Sequence, residues 1–163
     1  MSERDAHIHH INVNVDGLET AVPFYRDVLG LPLDPTPEQG MVSQFFRIND
    51  RQQIHMNVLE DARAFRGHFC LEVPDFEGVF RRAKAAGAID TKPWGRVRAL
   101  PGGKMQMFVR DPHGNLIEVA SQPGAKIDQE LFEDELVEPR QGTYRLMPGE
   151  DVGEHVPVDS PPA

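Results

Sequence analysis

The sequence predicts an α+β protein of one domain, built from two βαβββ modules whose strands have one face on the helices and a polar face inside a curved sheet. Three observations predict it. The chain has 163 residues, enough for one sizeable core and short of two. A segment beginning at His10 returns at His68 in the same polar and apolar pattern. Each copy passes from the two-residue period of a strand to the period of a helix.

The first copy reads His10-Ile-Asn-Val-Asn-Val and the second His68-Phe-Cys-Leu-Glu-Val. At an offset of 58, His10 meets His68, Val15 meets Val73, Leu18 meets Phe76 and Glu19 meets Glu77. The first helix is expected from Leu18 to Leu29, with Val22, Tyr25, Val28 and Leu29 inward and Gly30 as its stop. The second is expected from Phe76 to Ala86, with Val79, Phe80 and Ala83 inward and Gly87 as its stop. Strands are expected near Gln44–Ile48 and Gln53–Leu59, then near Arg96–Leu100, Lys104–Val109 and Leu116–Ala120. Pro101-Gly102-Gly103 and Asp111-Pro112-His113-Gly114 separate the last three as turns. The modules span 7–60 and 67–121. An acidic extension, 122–163, follows; Ile127 to Val137 reads as a short amphipathic helix, and the composition beyond Pro148 favours disorder.

Composition narrows the function classes. Net charge is −9, and ten acidic against three basic residues between Ser121 and Ala163 place seven of those charges in the extension. A body without a basic stripe repels phosphate backbones, so nucleic acid is not expected as a partner. No apolar run approaches the ~20 residues that cross a bilayer. The start has no signal-peptide core, and the single cysteine, Cys70, forms no internal disulfide. A cytoplasmic enzyme acting on a small molecule is the expectation.

The repeat itself selects the candidate site. Gln53-Ile-His-Met lies opposite Leu116-Ile-Glu-Val at an offset of 63, so His55 is the counterpart of Glu118 as His10 is of His68. Two related halves packed about a pseudo-twofold axis can bring four equivalent positions together, and here they hold three histidines and a glutamate. Alternation puts His10 with Asn12 and Asn14, His68 with Cys70 and Glu72, and His55 with Asn57, each opposite an apolar face. Such a set suits one divalent metal ion: Fe, Zn, Ni, Co or Mn, and not Ca, which prefers all-oxygen shells. The competing reading is a hydrogen-bonded polar cavity without metal. His7 and His9 read as exposed or structural, and His113 and His155 as solvated. Arg96 and Arg98 read as anchors for an anionic group or as solvated strand-edge residues. Cys70 is assigned no role.

Leu18-Glu-Thr-Ala-Val-Pro-Phe-Tyr-Arg-Asp-Val-Leu-Gly-Leu31 resembles the first-helix signature of the vicinal-oxygen-chelate superfamily (glyoxalase, bleomycin resistance protein, extradiol dioxygenase). Asp111-Pro-His-Gly-Asn-Leu-Ile-Glu118 resembles its closing motif, whose Glu is a metal ligand. The resemblance implies metal ligands at His10, His68 and Glu118, with His55 either a fourth ligand or an acid–base residue. It implies that the two modules form a cupped, barrel-like mixed sheet with the helices outside, a homodimer, and a substrate that chelates through two adjacent oxygens. The leading activity is then proton transfer of the glyoxalase or epimerase kind (lyase or isomerase), with Glu118 or His55 as the base. The alternatives are an Fe(II)-dependent dioxygenase with a His/His/Glu triad and a non-catalytic small-molecule binding or resistance protein. Phe108 stands where ring-cleaving members carry a tyrosine, which favours the first.

Overall fold

The repeat survives in the backbone down to the register of its strands. The computed structural model describes residues 7–38, 40–90, 97–100 and 103–132, and the backbone of 136–137. In the first module β1 (His10–Val15) runs parallel to β4 (Gln52–Val58), with His10 beside Gln53 and Asn12 beside His55. In the second, β5 (His68–Val73) runs parallel to β8 (Leu116–Ser121), with His68 beside Leu116 and Cys70 beside Glu118. Shifting the first pair by the two offsets gives the second pair with no slip.

Two sheets result. The first has the order β1-β4-β3-β2, with β2 at Leu33–Asp34 and β3 at Ser43–Asn49. The second has the order β5-β8-β7-β6-β9, with β6 at Val97–Ala99, β7 at Met105–Arg110 and β9 at Leu136–Val137. Both are mixed and cupped, and they do not close into a barrel. The expected alternation holds: Val13, Val15, Ile54, Met56, Leu71 and Val73 are buried, while His10, His68 and Cys70 are exposed. One core joins the modules, with Tyr25, Phe46, Phe80 and Phe132 among its fully buried side chains. Burying each such ring contributes about 1.5–3 kcal/mol.

Helix α2 (Phe76–Ala85) forms as expected. Asp75 caps it, its side chain accepting from the Gly78 N–H at 2.9 Å, and Gly87 ends it at φ 63°. The first helix differs from expectation. Regular α1 covers only Leu18–Pro23, and a wider π-helical turn runs from Phe24 to Val28. Pro23 lies inside the helix; it lacks an N–H, and its ring crowds the preceding turn. The widened turn that follows, closed by the Leu29 N–H on the Phe24 carbonyl, buries Phe24 and Tyr25 and leaves Val22 and Val28 only half-buried.

The Asp111–Asn115 turn ties the modules together. Asp111, itself buried, accepts from the His113 and Asn115 N–H groups at 2.9 and 2.8 Å, from the Asn115 amide at 2.8 Å and from the Tyr25 hydroxyl at 3.0 Å. Asn115 in turn accepts from the Phe65 N–H at 2.8 Å. His113 is not solvated as expected: its ring contacts Asp16 at 2.7 Å and Thr20 at 3.3 Å and is mostly covered. Arg82 adds a further tie, donating to the Val28 carbonyl at 3.0 Å.

The extension also departs from expectation. Where a helix is expected over Ile127 to Val137, a single 3-10 turn covers Gln129–Phe132, and β9 then pairs parallel to β6. Tertiary anchoring outweighs helical periodicity here. The Asp128 N–H donates to Glu77 at 2.9 Å, and Phe132 packs on Phe76 and Phe80 with ring centroids 5.8 and 4.7 Å away. Trp94, Arg96, His155 and the segment beyond Pro148 lie outside the described residues.

Candidate functional site

Strand register fixes which side chains share the open face of each sheet. On the first sheet they are His10, Asn12 and Asn14 of β1, Gln53, His55 and Asn57 of β4, and Ser43, Phe45 and Arg47 of β3. Asn57 bridges its neighbours, donating to Asn12 at 2.7 Å and accepting from Ser43 at 2.9 Å. The His55 ring lies between two others: His10 stacks on it at 4.1 Å with planes 8° apart, and Phe45 at 3.7 Å with planes 2° apart. Partial burial first, then the His10 and His9 imidazoles, lower the His55 pKa, so the neutral ring, the form that can bind a cation or accept a proton, is favoured. His9 lies edge-on to His10, with their Nδ1 atoms 3.1 Å apart.

On the second sheet the matching pair is ionic. His68 Nε2 lies 3.1 Å from Glu118, and Phe108 meets the His68 ring edge-on at 5.2 Å. Phe45 and Phe108 are themselves counterparts, each in register with a candidate site residue on the next strand. Partial burial first, then the Glu118 carboxylate, push the Cys70 thiol up to about 12, which leaves it a poor nucleophile. Glu72 pairs with Lys104 at 3.0 Å. Arg98 stands in register with Gln106, on the face of Phe108 and Glu118.

The four candidates therefore meet in pairs, His10 with His55 and His68 with Glu118. Among the described residues, no three metal-capable side chains converge. His10 and His68 both border one cavity of about 790 Å³, lined by Gln53 of the first module, Cys70 and Glu72 of the second and Gln122 of the extension among others. Three imidazoles and a carboxylate fit a borderline divalent ion chemically. Geometrically, each module holds half of such a set. The parallel His10 and His55 rings must also part, because lone pairs lie in the ring planes and planes 4.1 Å apart do not converge on one ion.

The structure adds residues that sequence reasoning passed over. Arg47 pairs with Asp34, and Arg110 with Asp90 at 3.1 Å. Arg47 and Arg110 are 63 residues apart, and Asp34 and Asp90 each follow a helix-ending glycine, Gly30 and Gly87. That spacing is the signal that could have found them. The first ion pair extends inward. Gln53 donates to Asp34 at 2.5 Å, and its other end meets His55 Nε2 at 3.0 Å.

Comparison with known proteins follows the same lines. The profile of the Glyoxalase/Bleomycin resistance protein/Dioxygenase superfamily matches residues 7–119. The chain is 28% identical over 131 residues to a lactoylglutathione lyase of Haemophilus influenzae, covering 73% of this chain and 95% of that one. A glyoxalase family protein of Bacillus anthracis superposes with a TM-score of 0.58 at 26% identity, over 74% of this chain and 98% of its own. A lactoylglutathione lyase of Agrobacterium tumefaciens gives 0.55 at 26% identity, over 73% and 96%.

Proposed function

Because the chain belongs to the Glyoxalase/Bleomycin resistance protein/Dioxygenase superfamily, whose members typically use a divalent metal, we propose that it is a metal-dependent enzyme moving a proton on a small substrate with two adjacent oxygens. The carrying observation is the pairing of candidate ligands by module: His10 with His55, and His68 with Glu118. The two modules share one core and are tied by Tyr25–Asp111, Arg82–Val28 and His113–Asp16. Such a unit does not readily rearrange to bring both pairs together. A second copy of the chain would do so with no backbone movement, needing only the His10 ring to turn, its His68 and Glu118 facing the first copy's His10 and His55. A twofold dimer built this way holds two equivalent sites.

In that site His10, His55, His68 and Glu118 would hold the ion, which would supply Lewis acidity. Glu118 would offset one of its two charges; Glu118, or His55 where it is not ligated, accepts the proton and returns it. Phe45 and Phe108 line the same face with apolar rings and offer no phenol to a substrate. That favours proton transfer over oxygen insertion, and the similarity to a lactoylglutathione lyase over 73% of this chain supports it.

Two measurements test this. The His10→Ala/His55→Ala and His68→Ala/Glu118→Ala double variants are each inactive; mixed one to one, they regain about a quarter of wild-type activity if sites form between copies, since half the dimers then carry one intact site of two. No recovery after subunit exchange defeats the dimeric site. Activity with Zn(II) or Ni(II) under nitrogen supports proton transfer. Activity that needs Fe(II) and consumes oxygen overturns it for a dioxygenase, and ligand binding indifferent to chelators overturns it for a binder.

A further inference from the structure

We infer that Gln53, anchored by Asp34, is a positioning residue that fixes His55 as the Nε2–H tautomer and leaves Nδ1 as its working atom. The inference rests on the proposed function only for what Nδ1 then does. It follows from donor and acceptor bookkeeping along one chain of contacts. Arg47 forms an ion pair with Asp34, donating to Oδ1 from Nε at 3.0 Å, so Asp34 is a carboxylate and can only accept. Asp34 Oδ2 lies 2.5 Å from the Gln53 amide, so that end of Gln53 must be its NH2. The other end is then the carbonyl oxygen, which also only accepts. It lies 3.0 Å from His55 Nε2, so Nε2 must carry the proton. In the neutral ring the remaining lone pair is then on Nδ1.

Packing reinforces the assignment. Phe45 stacks on one face of the ring at 3.7 Å, so His55 is held in its plane by a ring and in rotation by Gln53. Among the described residues His10 is held by the edge-on His9 and by the His55 ring, and it is exposed. Of the two stacked imidazoles, His10 is therefore the one that turns when both serve one ion, and His55 is the fixed reference. The arrangement lengthens by one amide the usual carboxylate contact that orients a metal-binding histidine.

The test is long-range proton–nitrogen correlation NMR on the intact metal-free protein near pH 8, with the His55 signals assigned by their loss in His55→Gln. A protonated and a bare imidazole nitrogen are told apart directly. The expected result is a single tautomer with hydrogen on Nε2, lost to a mixture in Gln53→Leu while the other histidine signals keep their positions. In Asp34→Leu the glutamine amide is free to flip, and the same mixture is expected; if that variant does not fold, Gln53→Leu alone decides. Hydrogen on Nδ1 in the wild type, or an Nε2–H tautomer unchanged in Gln53→Leu, overturns the inference. None of these readings depends on metal or turnover, so they stand or fall apart from the proposed activity.

Discussion

The two modules are the same fold performed twice, and they differ in how they hold their chemistry. In the first sheet an imidazole is clamped between rings and steadied through Gln53 by an ion pair behind it. In the second the imidazole leans directly on a carboxylate. Arg110–Asp90 repeats Arg47–Asp34, but the residue in the place of Gln53 is the apolar Leu116, so the amide link of the first sheet is not repeated there. The backbone thus supplies positions, and side chains divide the labour: orientation in one half, negative charge in the other.

The sharpest way to break that comparison is to remove the charge. Glu118→Ala is expected to abolish metal retention, by more than the roughly 10–100-fold that loss of a supporting contact costs. Gln53→Leu is expected to fall within that range, and metal content and competition with a chelator read both. Equal losses would mean that the halves do not differ as described.

The modules also differ in what covers their helices. Helix α2 is roofed by Phe132 from the extension, so Phe132→Ala is expected to destabilise the protein by about 3–5 kcal/mol in urea unfolding. A loss below about 1 kcal/mol would show that the extension only rests on the surface.

Between the halves, Tyr25→Phe removes one of four hydrogen bonds to Asp111 and is expected to cost about 1–2 kcal/mol. Burial first, then the Asp111 carboxylate, raise the Tyr25 pKa well above the ordinary value near 10. The unfolded chain releases that proton above pH ~10 while the native one keeps it, so native stability is intact below that pH and falls as pH rises. Tyr25→Phe is expected to lack this part of the alkaline slope. The smallest effect is expected for Asp16→Asn, about 0.5–1 kcal/mol, because Asp16 is largely solvated in its contact with His113.

Much of this was legible in the sequence because strand alternation and the two offsets carry it. The repeat named His10, His55, His68 and Glu118, and the period of two separated Val13 and Val15 from His10. What escaped depends on distance in space. Pro23 read as one residue of a continuous helix, though its ring and missing N–H precede a change of helical pitch. The acids around Phe132 suggested a free amphipathic helix, and only the Phe76 and Phe80 rings decide otherwise. The Arg–Asp pairs were hidden because the second module has a longer path between helix and ladder, so the aspartates and arginines fall at different offsets. Whether two pairs meet within one chain is a matter of module packing, on which periodicity is silent.

The match to the superfamily ends at residue 119, while the core reaches Phe132. A chain trimmed at that shared boundary would bare Phe76 and Phe80 to water and strip β6 of its outer neighbour. The final forty-odd residues therefore begin as part of the folded body, and any protease or gene fusion that cuts there acts on the second half-site's scaffold before it touches a single ligand.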